Sequence, residues 1–319
     1  MRVLATGASG FLGRAVVRAL QHAGHEVRTL QRRPSTVPGA EDHRGSVTDP
    51  DAVAAALSDI DGVVHLAAKV SLAGDPAQFR AVNVDGTRIL LDTAAAAGVS
   101  RVVHVSSPSV AHAGHALAGV GAEPADPRGA RGEYARTKAE AELLALDRAR
   151  AGLSLVAIRP HLVWGPGDTQ LIARIVDRAR RGTLPLLNGG LALIDSTYVD
   201  NAASGIVAAL ERVDEVSGRA YVLTNGEPRP VGDLLAGICR ASGVHPPRFS
   251  VPAGLATAAG SVIERLWAIR PGEDEPPMTR FLAEQLSTAH WFDQTEIRRD
   301  LRWTPSVSLD EGLRRLSLP

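Results

Sequence analysis

A glycine-rich turn near the start of the chain constrains the fold more than any other sequence feature. The run TGASGFLG (6–13) directly follows an apolar, strand-like segment and opens a helical one. Gly7 can make a tight turn, Gly10 lets the backbone approach a phosphate, and Gly13 lets the helix pack closely on a sheet. The first turn of such a helix presents free N–H donors and a positive dipole end. The turn therefore predicts a strand–turn–helix unit that binds the pyrophosphate of a dinucleotide.

Short strand-like runs alternate with helical segments through the first half of the chain. We predict strands at 2–6, 26–30, 62–66, 101–106 and 155–159, and helices at 10–23, 48–57, 79–97 and 134–151. Strands joined by helices of this length need crossover connections, so the pattern predicts an α/β fold with a doubly wound parallel sheet. We expect a Rossmann-type domain over 1–165. A smaller substrate-binding lobe is expected over 166–319, with some of its segments returning to the core.

The second half of the chain has less regular patterning. We predict helices at 170–181, 201–211 and 231–242, and a strand at 220–223. Residues 112–132 are rich in Gly, Ala, Pro and His without a period, and they follow a strand end. We therefore expect that segment to be a flexible loop over the site.

Composition excludes several classes of protein. Thirty-five Lys and Arg balance 35 Asp and Glu, which argues against a nucleic-acid binder, since these carry a basic surface. Cys239 is the only cysteine, so the chain cannot form a disulfide framework of its own. No apolar run is long enough for a membrane span, and the first residues do not resemble a signal peptide. We expect a cytoplasmic protein without a transmembrane segment.

The end of the second strand-like segment carries arginines where an acid is common in NAD sites. An acid there accepts a hydrogen bond from the ribose 2′-hydroxyl of NAD, whereas an arginine pairs with the 2′-phosphate of NADP. Arg32 and Arg33 stand at this end, and Arg32 is the better placed of the two. We predict NADP(H) as the preferred cofactor, with NAD(H) as the alternative.

Tyr134 and Lys138 are four residues apart at the start of a helical segment. The chain has only three tyrosines and two lysines, so this spacing is rarely a coincidence. Residues i and i+4 share a helix face, and a nearby cation lowers a tyrosine pKa by about 1–3 units, toward the range suited to proton transfer. Ser106 and Ser107 follow a strand end, where a hydroxyl can hydrogen-bond a substrate carbonyl.

These motifs together resemble the extended short-chain dehydrogenase/reductases. The matching elements are TGASGFLG (6–13), HLAA (65–68), NVDGT (83–87), HVSS (104–107), YARTK (134–138), RPHLVWGPGD (159–168) and YVDNAA (198–203). The resemblance implies a catalytic Ser107, Tyr134 and Lys138, because the family's serine lies three residues before a valine, here Val110. It implies cofactor contacts from Gly7, Ser9, Gly10, Phe11, Leu12, Gly13, Arg32, Leu66, Ala67, Ala68, Lys138, Pro160 and Leu162.

Within this family the chain resembles the 3β-hydroxysteroid dehydrogenase-like branch. It is most similar there to the bacterial 2-alkyl-3-oxoalkanoate reductases of long-chain olefin biosynthesis, through SSPSVAH (106–112), the run 159–182 and EPPMTRFLAEQLSTAHWF (275–292). The resemblance implies NADPH-dependent reduction of a 2-alkyl-3-oxoalkanoic acid to the 3-hydroxy acid. The product would pass to a β-lactone-forming ligase and a β-lactone decarboxylase.

Two other functions stay open. One keeps the chemistry and changes the substrate to a 3β-hydroxysteroid or another alicyclic alcohol. The other is a non-catalytic NADP-binding regulator, against which Tyr134 and Lys138 argue. We expect a small-molecule substrate, either a long-chain 3-oxo acid or a steroid-like ketone. A homodimer is expected too, one that could associate with neighbouring pathway enzymes. His112, His115 and His161 lack the spacing of zinc ligands, so we expect no metal.

Overall fold

A seven-stranded parallel sheet forms the core of the computed structural model, which describes residues 1–71, 74–112, 114, 116–268 and 280–317, with the side chains of 264–268 and 281–282 left aside. From one edge to the other its strands are β3 (Glu41–Arg44), β2 (Glu26–Gln31), β1 (Arg2–Thr6), β4 (Gly62–His65), β5 (Arg101–Val105), β7 (Ser154–Pro160) and β12 (Ala220–Leu223). The strand order reverses between β1 and β4. In doubly wound sheets, that switch point is where ligands bind, beyond the carboxyl ends of the strands.

Helices cover both faces of this sheet. On one face lie α1 (Phe11–His22) and α7 (Val199–Glu211), and on the other lie α2 (Pro50–Ala56), α4 (Gly86–Ala96) and α5 (Glu133–Arg150). The Asp49 side chain caps α2 by accepting from the backbone N–H groups of Asp51 and Ala52. The doubly wound architecture predicted from the alternating pattern is confirmed.

The segment predicted as one helix over 79–97 is helical but contains a π turn. It runs through α3 (Pro76–Arg80), the π turn Ala81–Asp85 and then α4. Asn83 lies in this turn and is buried. Its Oδ1 accepts from the backbone N–H of Lys69 at 2.7 Å, and its Nδ2 donates to Thr137 Oγ1 at 3.0 Å. The wider turn thus aims an amide side chain at the loop after β4 and at α5.

The second half of the chain adds smaller sheets and more helices. A four-stranded sheet contains, in order, β13 (Arg229–Pro230), β10 (Leu193–Ile194), β15 (His290–Phe292) and β6 (Leu117–Val120). Two strand pairs are β8 (Val163–Trp164) with β11 (Thr197–Tyr198), and β9 (Leu186–Leu187) with β14 (Ser250–Val251). The remaining helices of the described chain are α6 (Leu171–Arg180), α8 (Val231–Ala241), α9 (Ala253–Ala268), α10 (Arg280–Ser287), α11 (Thr295–Leu301) and α12 (Leu309–Leu316).

Two sequence expectations need correction. The segment 112–132 was predicted to be a flexible loop, but it contains the strand β6, which pairs with β15 of the second half. The edge strand β3 was missed, because its residues are mostly exposed and charged. The domain boundary at 165 stays a prediction, although β12 and α7 lie in the main sheet and on its face. Within the described ranges, none of the helices has the length and apolar character needed to cross a membrane.

Candidate active site

The glycine-rich turn joins β1 to α1 and has no room for a side chain at Gly7 or Gly13. Gly7 has a φ of +73°, and a Cβ there would lie 2.8 Å from the backbone nitrogen of Ala67. A Cβ on Gly13 would lie 2.3 Å from the carbonyl oxygen of Gly7. Gly10 is the N-cap of α1 and provides no side-chain cap. The first turn of α1 is therefore left open to a phosphate, and the residues fit a dinucleotide.

The loop after β4 lies directly against this turn. Thr6 Oγ1 accepts from the backbone N–H of Ala67 at 3.1 Å and hydrogen-bonds Nδ1 of His65 at 2.8 Å. Leu66, Ala67 and Ala68 are all partly exposed at this edge of the sheet. The structure thus brings together the two segments on either side of the strand-order switch.

The other predicted cofactor residues take their places at the same edge. Ser9 is in the turn, where its carbonyl accepts from Arg14 Nη1 at 2.7 Å, and Phe11 and Leu12 begin α1. Pro160 ends β7, and Leu162 follows it with a φ of +43°. A positive φ is strained for leucine.

Arg32 is exposed immediately after β2. The acid nearest to it along the adjoining strand is Asp42 on β3, whose register partner is Thr29. Asp42 accepts from Thr29 Oγ1 at 2.5 Å and from the backbone N–H of Ser35 at 3.0 Å. These hydrogen bonds lower the pKa of Asp42 against the opposing effect of its burial. The Asp42 carboxylate is therefore occupied in joining the loop after β2 to β3. The exposed charge at the end of β2 is that of Arg32.

Two hydroxyls meet at the carboxyl end of β5. Ser107 follows this strand and caps a short 3₁₀ turn (Pro108–Ala111), while Tyr134 is in the first turn of α5. Partial burial raises the pKa of Tyr134, and a hydrogen bond with Ser107 opposes this rise. Ser109 was missed from the sequence: its hydroxyl donates to Ser107 Oγ at 2.9 Å. Ser107 therefore accepts from Ser109, and its own proton remains for Tyr134 or a substrate oxygen.

Lys138 lies one turn after Tyr134 on α5 and is 3% exposed. Its Nζ donates to the backbone carbonyl of Val105 at 2.7 Å. Burial lowers the pKa of Lys138 to about 8, and Glu142 acts in the opposite direction. In this structure the pKa of Tyr134 is raised overall rather than lowered, so any lowering by Lys138 is smaller than the effect of burial. The reason is that burial dominates and the ammonium group is engaged with the β5 backbone.

Two histidines lie beneath Lys138 in the sheet. His65 Nε2 is 3.0 Å from Thr87 Oγ1, whose hydroxyl donates to the carbonyl of Asn83. His65 and His104 are both buried, and their rings are 5.5 Å apart. Burial lowers the pKa of His65 to about 3 and that of His104 well below its usual range. Both are therefore neutral at pH 7, and Lys138 carries the positive charge of this region.

A second histidine cluster joins the segment after Ser107 to the C-terminal part of the chain. His290 of β15, also missed from the sequence, places Nε2 at 3.3 Å from Nδ1 of His112. His161 Nδ1 is 2.7 Å from the carbonyl oxygen of Asp195. In the described part of the chain, no group of three or more His, Cys, Asp or Glu side chains is placed to hold a metal ion. His115 lies outside the described residues.

The sequence pattern of the NAD dependent epimerase/dehydratase family matches residues 3–224. Full-length similarity extends further. The chain is 41% identical to 2-alkyl-3-oxoalkanoate reductase of Stenotrophomonas maltophilia (strain K279a), over 99% of this chain and 98% of that protein. It is 35% identical to the protein of the same name from Shewanella oneidensis, over 98% of this chain and 84% of that one. It is 32% identical to 3 beta-hydroxysteroid dehydrogenase/Delta 5-->4-isomerase of Mycobacterium tuberculosis, over 98% and 88%.

Solved structures show the same fold. The crystal structure of gox2253 has a TM-score of 0.80 and 28% identity, covering 98% of this chain and 96% of that one. A short-chain dehydrogenase/reductase superfamily protein from Agrobacterium tumefaciens, with NAD bound, has a TM-score of 0.77 and 25% identity, covering 99% and 96%. These similarities agree with the two features described above, the open glycine-rich turn before α1 and the placement of Tyr134 and Lys138 on α5. The chain belongs to the NAD dependent epimerase/dehydratase family, among the extended short-chain dehydrogenase/reductases, and is an NAD(P)-dependent oxidoreductase.

Proposed function

We propose that this enzyme uses NADPH to reduce the 3-oxo group of a 2-alkyl-3-oxoalkanoic acid to the 3-hydroxy acid. The proposed chemistry is supported by one observation. Ser107 and Tyr134 are hydrogen-bonded to each other one helical turn from the buried Lys138, at the edge of the sheet that also carries the glycine-rich turn. Support for the substrate comes from the two relatives of that name, whose similarity extends through the substrate lobe.

The three side chains divide the work of ketone reduction. The first turn of α1 would hold the pyrophosphate of a nicotinamide nucleotide and Lys138 its ribose, and the bound nucleotide would supply the hydride. Ser107 donates a hydrogen bond to the ketone oxygen, and Tyr134 donates its proton to that oxygen as negative charge develops there. The raised pKa of Tyr134 keeps the hydroxyl protonated at neutral pH, the form that reduction requires. The positive charge of Lys138 stabilises the tyrosinate that is left.

NADP preference is proposed on the exposed Arg32 at the end of β2. Replacing it (Arg32→Ala) removes a charged partner for the 2′-phosphate, so the ratio of kcat/KM for NADPH to that for NADH should fall about 10-fold or more. Steady-state kinetics with each nucleotide measure the ratio. Arg18→Ala, which removes an exposed arginine from α1, is the matched control and should leave the ratio unchanged. An unchanged ratio in Arg32→Ala would remove the basis for the NADP proposal.

The substrate is tested by direct competition between classes. NADPH oxidation is followed with a 2-alkyl-3-oxo acid and, in parallel, with a 3-oxosteroid. We expect kcat/KM for the acid to exceed that for the steroid by about 100-fold or more, as differential binding of a carboxylate and acyl chains allows. Turnover of the steroid alone would overturn the proposal. It would favour the second candidate, a 3β-hydroxysteroid dehydrogenase, which the 32% identity to the mycobacterial enzyme supports.

The proposed function includes a cellular compartment, an oligomeric state and neighbouring pathway enzymes. We expect the enzyme to act in the cytoplasm as a homodimer, beside the ligase and decarboxylase that would consume its hydroxy acid in olefin biosynthesis. Sedimentation equilibrium of the purified protein measures the oligomeric state, and a monomer at all concentrations would contradict the dimer. A non-catalytic NADP-binding regulator is the weaker hypothesis, because a protein that only binds NADP does not need Tyr134 and Lys138 for proton transfer.

A further inference from the structure

A buried ion pair lies behind the candidate active site. The side chains of Arg159 and Glu142 are 2% and 0% exposed. Arg159 Nε donates to Glu142 Oε2 at 2.9 Å, a second guanidinium N–H donates to Oε1, and Nη1 donates to the carbonyl of Glu123 at 2.7 Å. The desolvation of a buried pair roughly cancels its Coulomb energy, so stability alone explains its presence poorly.

The pair lies one helical turn from Lys138. Glu142 follows Lys138 by four residues on α5, so the two share the face of the helix that packs on the sheet. The Lys138 ammonium is fixed on the Val105 carbonyl of β5, and Arg159 is on β7, the strand paired with β5. Glu142 therefore carries the buried negative charge that is one turn from the ammonium of Lys138.

The other titratable groups around Lys138 do not supply a negative charge. His65 of β4 and His104 of β5 are kept neutral by burial. Tyr134 precedes Lys138 on α5 and keeps its proton at neutral pH, because burial raises its pKa. Arg159 is itself positive. Among the described residues around Lys138, Glu142 is thus the group whose charge favours a protonated lysine.

We propose that Glu142, paired with Arg159, is a positioning residue that keeps the positive charge on Lys138. The part of this inference that concerns catalysis, the stabilisation of a tyrosinate, rests on the proposed function. The part that concerns the charge of Lys138 is independent of it.

The physical need for such a group follows from the burial of the lysine. Desolvation lowers the pKa of Lys138 to about 8 even with Glu142 present. Without the carboxylate, the pKa would fall further, into the neutral range where the lysine loses its charge. A neutral amine could not stabilise a tyrosinate. Arg159 contributes indirectly, because its hydrogen bonds to both carboxylate oxygens hold Glu142 in place.

The chain is well suited to a direct test, since Lys138 and Lys69 are its only lysines. Selective isotope labelling of lysine gives two NMR signals to titrate. In Glu142→Gln we expect the pKa of Lys138 to fall by about 1 unit or more, with Lys69 unchanged as the internal reference. The alkaline limb of the kcat profile should move down by the same amount. Glu142→Asp, which keeps the charge, should restore most of both.

The matched control is Glu140→Gln. Glu140 is on the same helix but pairs with Arg80 and Arg136 at the surface, so its loss should leave the Lys138 titration in place. If Glu142→Gln does not fold, Glu142→Leu combined with Arg159→Met removes both charges together; the pKa of Lys138 should still fall, but by less, because losing the positive charge of Arg159 opposes the loss of the carboxylate.

The outcomes separate this inference from the proposed function. A Lys138 pKa that is the same in folded Glu142→Gln as in the parent protein would overturn the inference, whatever the activity. A lowered pKa in a protein that reduces none of the ketones tested would support the electrostatic role of Glu142 and contradict the proposed function instead.

Discussion

Tyr134→Phe is expected to lower kcat for ketone reduction about 1,000-fold, within the range of about 10²–10⁴ for the loss of a general acid. The phenyl ring keeps the packing of the first turn of α5, but the proton donor is gone. Ser107 can still donate to the ketone oxygen, so some polarisation of the carbonyl survives. The loss should therefore fall on kcat, with little change in KM for NADPH.

Three measurements define the result. Steady-state kinetics give kcat, fluorescence titration gives the affinity for NADPH, and thermal unfolding shows that the variant is folded. Tyr221→Phe is the matched control, because the Tyr221 hydroxyl donates to Asp300 at 2.8 Å, away from Ser107. It should lose a hydrogen bond and keep its activity. If Tyr134→Phe retained the parent's kcat toward each ketone tested, the catalytic assignment would fail, and the regulator would become the better hypothesis.

The parts of the fold that follow from local patterns were predictable from the sequence. Apolar runs such as Gly62–His65 form strands that are buried on both faces, and Asp49 with Pro50 marks the start of α2. The glycine-rich turn was predictable for a related reason. Its residues are required by close backbone contacts, which any fold with this turn must make.

What the sequence did not reveal depends on contacts between distant segments. The strand β3 has an exposed, charged sequence and forms because β2 offers a free edge. Likewise β6 is four residues long and is fixed by β15, some 170 positions later in the chain. A π turn depends on where Asn83 finds its partners, and no hydrophobic period encodes that.

The same reason applies to the site. Tyr134 and Lys138 were found because their spacing lies within one helix. Ser109 had a weak local signal, a second hydroxyl two residues after Ser107, and was passed over. Glu142 had helical spacing from Lys138 but no visible partner, because Arg159 comes from a strand beyond the end of the helix. His290 reaches His112 only through the pairing of β15 with β6.

The buried histidines lead to the second large effect: the free energy of unfolding is expected to fall by about 5 kcal/mol or more between pH 7 and pH 5. Burial lowers the pKa of His65 to about 3, of His161 to about 4 and of His290 to about 3. In the unfolded chain each titrates near 6.5. Between pH 6.5 and about pH 4 the unfolded state therefore binds protons that the folded state does not, and acid favours unfolding.

Between pH 7 and pH 5 each of these three histidines contributes about 2 kcal/mol, at 1.36 kcal/mol for each pH unit below about 6.5. Asp195 acts in the opposite sense, since burial raises its pKa to about 6 and the folded state takes up its proton first. That offsets about 1 kcal/mol. Carboxylates such as Asp300, with a pKa lowered to about 2, affect stability only at lower pH.

Urea unfolding at pH 7, 6 and 5, at constant ionic strength, measures this dependence. His161→Asn keeps a donor for the Asp195 carbonyl but removes the titrating ring, so the fall between pH 7 and pH 5 should shrink by about 2 kcal/mol. His22→Gln removes an exposed histidine at the end of α1 and should leave the slope as it is. A stability that is flat from pH 7 to pH 5 would mean that these rings take up protons while the protein stays folded. The inference that His65 and His104 are neutral, so that Lys138 carries the positive charge of the site, would then be wrong.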